Sequence, residues 1–504
     1  MTVAADPACL AFPLTAYPGF NKFVADWLGG TDRFLPRSPA TSNPQPATRD
    51  PQLITALIES NQRWGAFVKD DVQRWANGES IALVAGQQVG FAGGPLYTIV
   101  KLASLLRMKR ELEKQGKPAT VFFWLATEDH DYSEVATIKL PSRGVRQTDL
   151  ITLRASRGVD SKAAVGTLPV PEELIAELLS LMNIARPSWL RPGITFRDSF
   201  AELLATIVPS GVVFVDAMLP ELRRAGAPLF ESIGKNWDAM QRALHERSRE
   251  LTDAGYAPQV VAREGEYTLF FKFDEDGNRE IFSSGNDLTP PERISTSALT
   301  RPLLQDFVLQ PDVFLGGPAE VAYYAQIAPL HELLGVAMPR VALRAHALVA
   351  PKRVVRLFSR FGIEPQEIFA SPDDVLASRE PRGVAEVKSV AAEAHDQLDA
   401  KIARIRELAL PADHALARSI NRSVGHIDYH FRKLTERAIR GLVRKDRDRY
   451  AALKELVATL YPDRTVQDRC VSWFAWWAEF DNHLLDALVD CVEPDSNVCK
   501  IVSL

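Results

Sequence analysis

One stretch constrains this chain more than any other: residues 81–134, IALVAGQQVGFAGGPLYTIVKLASLLRMKRELEKQGKPATVFFWLATEDHDYSE. Ile81 to Ala85 is a short apolar run that stops at Gly86, and Ala119 to Ala126 is a second that stops at Thr127; both have the length and composition of buried strands. Between them Pro95 follows Gly93-Gly94 at the expected first turn of a helix, where a missing N–H costs nothing. Leu96, Ile99, Val100, Ala103, Leu106 and Leu112 keep helical spacing up to the break at Gly116-Lys117-Pro118. A right-handed crossover makes the two strands parallel and sends the loops after both to one edge of the sheet. In open α/β sheets that edge binds ligands, so Gly86-Gln87-Gln88 and Thr127-Glu128-Asp129-His130-Asp131 are expected to face one crevice.

A chain of 504 residues exceeds one ordinary core, and two or three domains are expected. With 59 Lys and Arg against 64 Asp and Glu, interspersed, no global field attracts nucleic acid or an anionic membrane. Small-molecule or protein partners fit better. The amino-terminal residues lack a basic start with an apolar core, and no apolar run approaches the roughly 20 residues of a membrane span. A soluble cytoplasmic protein is expected. Cys9, Cys470, Cys491 and Cys499 are too few for a disulfide scaffold and show no C-x-x-C spacing, so they read as buried or incidental thiols.

Residues 1–50 read as an arm on the core, and 50–78 contain a helix leading into the first strand. Strands are expected at Val135 to Leu140 and Leu150 to Leu153, and a helix opens near Pro169. Val212 to Val215 is a further strand ending at Asp216, which reads equally as an acid at the ligand edge or a turn cap. Pro258 to Phe282 reads as a hairpin turning at 274–278. Then Val313 to Leu315, Gly316-Gly317-Pro318 and a helix through Leu334 repeat the earlier strand, Gly-Gly-Pro, helix device. At both turns glycine permits close backbone approach, and the exposed N–H groups and positive dipole end suit phosphate or carboxylate.

From Gly383, apolar residues at helical spacing run to Ile405 and resume after Pro411 from Leu416 to Ala438, predicting an antiparallel coiled-coil hairpin suited to dimerisation. His426 and His430 within it lack the H-E-x-x-H base and read as a surface pair. Leu460 to Asp490, with Trp473, Trp476 and Trp477, is expected to pack back on the core. The fold expected is thus α/β: a parallel-sheet core over 1–382 with insertions at about 140–210 and 255–300, a helical coiled coil over 383–455, and a helical segment over 456–504 packing on the core.

In an extended run the side chains of Glu128, Asp129, His130 and Asp131 alternate, so only two of the four point into the crevice together. A His beside carboxylates has a raised proton affinity and is expected as a general base or as a group that holds an incoming amine; a solvated polar turn is the alternative. Zinc on Asp129, His130 or Asp131 is a minor reading, since no complementary histidine set adjoins a core strand. Gln87 and Gln88 suit a carboxylate, sugar hydroxyls or an adenine edge. Tyr97 and Thr98 lie near the start of the helix and Lys101 about two turns in; Thr98 and Lys101 face a bound anion or simply solvent. Neither G-x-x-x-x-G-K-[ST] nor G-x-G-x-x-G is present.

GQQVGFAGGPLYTIVK at Gly86 to Lys101, FFWLATEDHDYSEV at Phe122 to Val135, RPLLQDFVL at Arg301 to Leu309, GGPAEVAYYAQIAPLHELLGVAMP at Gly316 to Pro339, and YPGFNKFVADWL near the amino terminus together resemble the bacillithiol biosynthesis cysteine-adding enzyme family, BshC. The likeness departs at Ala319, where the family pattern has Gly, and past Asp490. The resemblance implies a Rossmann-like core, a coiled-coil homodimer, and a ligase that joins L-cysteine to the amino group of glucosaminyl malate. Amide formation from a carboxylate needs activation, for which ATP with Mg2+ is expected, through an adenylate or acyl phosphate. On this reading Asp129, His130, Asp131 and Gln88 are catalytic candidates, and Gly86, Gln87, Gly93, Gly94, Tyr97, Thr98, Lys101, Glu128, Asp216, Gly316, Gly317 and Glu320 bind substrate or nucleotide. No resident metal is expected. A metal-dependent amide hydrolase and a non-catalytic nucleotide-binding scaffold are the competing classes.

Overall fold

The computed structural model describes residues 9–37, 49–141, 150–155, 162–275, 277–282, 289–372, 375, 383–409 and 416–504. They form two compact units, one of residues 1–352 with 462–504 and one of residues 353–461.

The first unit is organised by a five-stranded parallel sheet of β2 (Ile81–Gln87), β3 (Ala119–Leu125), β6 (Val212–Asp216), β10 (Val313–Gly316) and β11 (Arg340–Leu343), in the order β11-β10-β2-β3-β6. Every residue of β3 and β6 is buried, as expected of strands covered on both faces. Helix α1 (Leu96–Lys114) makes the crossover from β2 to β3 and buries Leu96, Ile99, Val100, Leu102 and Leu105. The register pairs Gly86 with Trp124 and Gln87 with Leu125, so the loops after β2 and β3 leave the sheet side by side. The chain runs outward from β2 to β3 and β6, then crosses back to β10 and β11. That reversal makes a topological switch point between β2 and β10.

Three smaller sheets complete this unit. β1 (Cys9–Pro13), β13 (Val498–Ser503) and β12 (His346–Ala350) form one, β4 (Thr137–Pro141) and β5 (Leu150–Arg154) another, and β7 (Phe270–Phe273) lies between β8 (Arg279–Ile281) and β9 (Ile294–Thr296) in the third. Four sequence expectations change here. The 456–504 segment ends in a strand, because Cys499, Ile501 and Val502 are buried where β13 pairs with β1 and β12. Part of the expected arm is the strand β1. The strand expected from Val135 starts at Thr137, because Asp131 caps a short helix, α2 (Tyr132–Val135). The expected hairpin starts at Phe270 and gains β9; Asp276 in its turn lies outside the described residues.

The second unit contains α6 (Lys352–Phe361), α7 (Val384–Ala409) and α8 (Leu416–Leu460). It spans residues 353–461, and residues ahead of α7 pair with α8 or the residue after it: Arg353 with Glu455, the Gly362 carbonyl with Arg449, and Phe369 with Tyr461. The expected joint at Pro411 lies outside the described residues.

Candidate functional site

A cavity of about 930 Å³ opens at the carboxyl ends of β2, β3 and β10, at the switch point, and residues 260–262, β7, β8 and β9 contribute its far side. The loop after β3 supplies one wall. Its four consecutive polar residues do four different things.

Glu128 is 4% exposed and belongs to the framework. Its carboxylate accepts from Arg223 Nη2 (2.6 Å) in α3 (Pro220–Ala225), from Ser295 Oγ (2.8 Å), and from the Thr296 amide (2.9 Å) and hydroxyl (2.6 Å). Burial alone raises its carboxyl; the Arg223 and Arg279 guanidinium groups outweigh that and hold it below the usual carboxylate range. Asp129 lines the cavity, accepting from Gln88 Nε2 (2.6 Å) and from the His130 amide (2.7 Å), with Arg279 3.8 Å away. His130 also lines it, its Nδ1 3.0 Å from Arg279 Nη1. Asp131 lies off the cavity: its Oδ1 accepts from the Ser133 hydroxyl and the Glu134 amide and so caps α2. Extended geometry ends at this cap, which is why simple alternation fails.

The second wall joins α1 to α5 (Pro318–Leu334). Lys101 Nζ donates to the Gly86 carbonyl (2.6 Å) and Gln87 Oε1 (3.3 Å), and pairs with Glu320 Oε2 (2.6 Å). Its three N–H bonds are committed to protein partners, which corrects the expectation of an anion- or solvent-facing lysine. Glu320 also accepts from the Gly317 amide (2.6 Å). Burial would raise its carboxyl, but the Lys101 and Arg301 charges hold it down. Tyr97 receives a hydrogen bond from Gln87 (3.2 Å), and burial pushes its hydroxyl up to about 12. Thr98 is fully buried and does not line the cavity. Gly93 and Gly94 are also off the cavity, as are Gly316 and Asp216. Asp216 accepts from Thr127 and the Met218 amide and pairs with Arg197, the turn-capping alternative.

The third wall is cationic and was not singled out in the sequence. Arg301, at the start of α4 (Arg301–Leu309), donates to the Tyr323 hydroxyl (2.7 Å) and has no carboxylate within ion-pair distance among the described residues. Arg344 lies beside it, paired with Asp468 (3.2 Å), and Arg469 reaches the cavity from α9 (Gln467–Cys470). A signal existed at Arg301: a cation in the first turn opposes the helix dipole and calls for a tertiary reason. Glu134 also lines the cavity, on α2. Among the described residues no group of three or more His, Cys, Asp or Glu side chains is placed to hold a metal ion, and no helix is long and apolar enough to cross a membrane.

The sequence matches the model of the bacillithiol biosynthesis BshC N-terminal Rossmann-like domain over residues 32–289 and 286–345, and that of the BshC C-terminal coiled-coil domain over residues 347–504. Relatives named "Putative cysteine ligase BshC" include those of Koribacter versatilis, 31% identical over 98% of this chain and 100% of the relative, and Solibacter usitatus, 31% identical over 88% and 87%. That of Salinibacter ruber is 27% identical over 98% and 95%. With both domain models and near-full-length relatives in agreement, the chain belongs to the BshC family of bacillithiol biosynthesis, a family of ligase enzymes.

Proposed function

We propose that this enzyme joins the carboxyl group of L-cysteine to the amino group of glucosaminyl malate, forming the amide of bacillithiol in the cytoplasm. The observation that carries the reading is a cavity presenting carboxylates from one part of the chain, Asp129 and Glu134, and arginines from others, Arg301, Arg344 and Arg469, with Arg279 and Glu320 lining it as well. Glucosaminyl malate carries the complementary groups, an amine on the sugar and two carboxylates on the malate. Amide formation from a free carboxylate needs activation, which ATP with Mg2+ supplies by converting the carboxylate to an acyl phosphate or adenylate. Arg301, lacking a carboxylate partner, and Arg469 suit the charge of a phosphate or a carboxylate. Gln88, held by Asp129, keeps its carbonyl oxygen available to accept from an amine. A metal-dependent hydrolase finds no ligand cluster among the described residues.

The coiled coil is proposed as a homodimer contact. Val390, Ile405, Leu408, Ile427 and Leu434 are exposed on its two long helices, apolar surface that a second copy would cover.

The test is mass-spectrometric thiol profiling of a deletion strain complemented with wild type or with Asp129→Ala. The reading expects bacillithiol to vanish and glucosaminyl malate to accumulate, with wild type alone restoring the profile. An unchanged profile in the deletion strain sinks it.

A further inference from the structure

We propose that Glu134 is the carboxylate that takes the proton from the attacking amine, with His130, on the lining of the same cavity, as a hydrogen-bond donor. This rests on the amide-forming reading above and assigns the roles within it. Of the carboxylates at residues 128–134, three are committed to protein partners, and elsewhere in the lining Glu320 is paired with Lys101 while Glu266 lies on the far side with residues 260–262. Glu128 receives four hydrogen bonds from Arg223, Ser295 and Thr296. Asp131 is committed to the cap of α2. Asp129 is held by Gln88 and the His130 amide, with Arg279 beyond.

His130 is removed as a base by its partner. A guanidinium has only donors, so the 3.0 Å contact from Arg279 Nη1 makes His130 Nδ1 the acceptor and puts the proton of the neutral ring on Nε2. The ring nitrogen left over for a ligand carries a hydrogen. Arg279 is itself fixed by a bond from Nη2 to the Thr296 carbonyl (2.7 Å) and by the Phe271 ring, 4.0 Å from the guanidinium carbon, so this arrangement is built into the inserted sheet.

Glu134 has no ion-pair partner among the described residues and opens onto the cavity, where Gln88 donates to it. The titratable groups facing it are Asp129 and Asp131 from the preceding loop and Tyr97 from α1. Packing around the carboxyl raises its affinity for a proton and the two aspartates add to this, against the Gln88 hydrogen bond. A carboxylate so placed accepts a proton more readily than an ordinary surface acid. In the step proposed, an amine delivered uncharged attacks the carbonyl carbon of the activated cysteine, an acyl phosphate or acyl adenylate. The C–N bond forms, the C–O bond to the phosphate leaving group breaks with its electron pair, and one N–H proton passes to Glu134 and on to water.

The experiment measures amide formation by the purified full chain from L-cysteine, glucosaminyl malate and ATP across pH, for wild type, Glu134→Gln and Glu134→Ala. Wild-type kcat is expected to fall on the acid side as Glu134 takes up its proton. Glu134→Gln is expected to lose about 100-fold or more in kcat with KM for cysteine little changed, and to lose that acid limb. Added formate or acetate should restore part of the Glu134→Ala rate, which a merely structural role would not allow. A Glu134→Gln enzyme with wild-type kcat and the same acid limb overturns this inference alone. Absence of product with wild type overturns the proposed function instead.

Discussion

The two Gly-Gly-Pro turns are nearly the same in sequence and opposite in use. At Gly316-Gly317-Pro318 the turn faces the cavity: Gly317, Pro318 and Glu320 line it, and Pro318 opens α5 with the Gly317 amide tied to Glu320. At Gly93-Gly94-Pro95 the turn is filled by protein. Gly93 has a φ of +81°, and the Trp473 indole packs so closely that an added Cβ would lie 2.3 Å from it. Trp473 Nε1 donates to the Gly93 carbonyl (2.8 Å), and the Leu96 amide, at the helix start, donates to the Val471 carbonyl (2.8 Å) rather than to an anion. A glycine turn before a helix is therefore only an opening; whichever group arrives first in three dimensions, ligand or side chain, decides its use.

Three variants sharpen this contrast. Glu320→Gln strands buried Lys101 beside the cavity-facing turn, and the loss of stability at neutral pH should be roughly 3–5 kcal/mol. Because the folded carboxyl is held below its ordinary value of 4.5, the unfolded chain takes up the proton first as pH falls. The stability that Glu320 contributes is therefore present above about 4.5 and is lost below it, so thermal midpoints of variant and wild type should converge in acid. Next, Gly93→Ala meets both the Trp473 ring and a left-handed backbone, at a cost of roughly 2–4 kcal/mol in denaturant titration. A neutral result would mean that Trp473 does not seal this turn. Smallest in stability is Gly317→Ala, where φ is −74° and a Cβ would lie 3.3 Å from Glu320 Oε2. Less than about 1 kcal/mol is expected, with the change appearing in KM. An unaltered KM would argue that no ligand approaches the second turn either.

The parallel sheet was legible because its signal is local: apolar runs of strand length, broken by glycine, with a helix period between them. The hairpin of α7 and α8 was legible for the same reason. The individual duties of residues 128–134 were not, because their partners come from elsewhere in the chain. Glu128 is claimed by Arg223, Ser295 and Thr296, 95 to 168 positions away, and nothing in T-E-D-H-D tells that residue from Asp129. Glu134 follows a polar cluster and carries no mark of its own in the sequence; the turn capped by Asp131 is what places it near Gln88. Arg469 sits more than 100 positions from every other residue lining the cavity, so no spacing argument reaches it.

The strand pairing of residues 9–13 with 498–502 has a consequence in time. While the chain is being made, β2, β3, β6 and α1 can assemble long before Asp468, Arg469 and Trp473 exist. Until those residues arrive, Arg344 lacks its carboxylate, Gly93 lacks its indole, and β1 has no strand to pair with. Contacts spanning so much sequence form slowly. A ribosome-bound or truncated chain would therefore carry a finished sheet and an unfinished site, so that the capacity for chemistry is acquired only in the last step of folding.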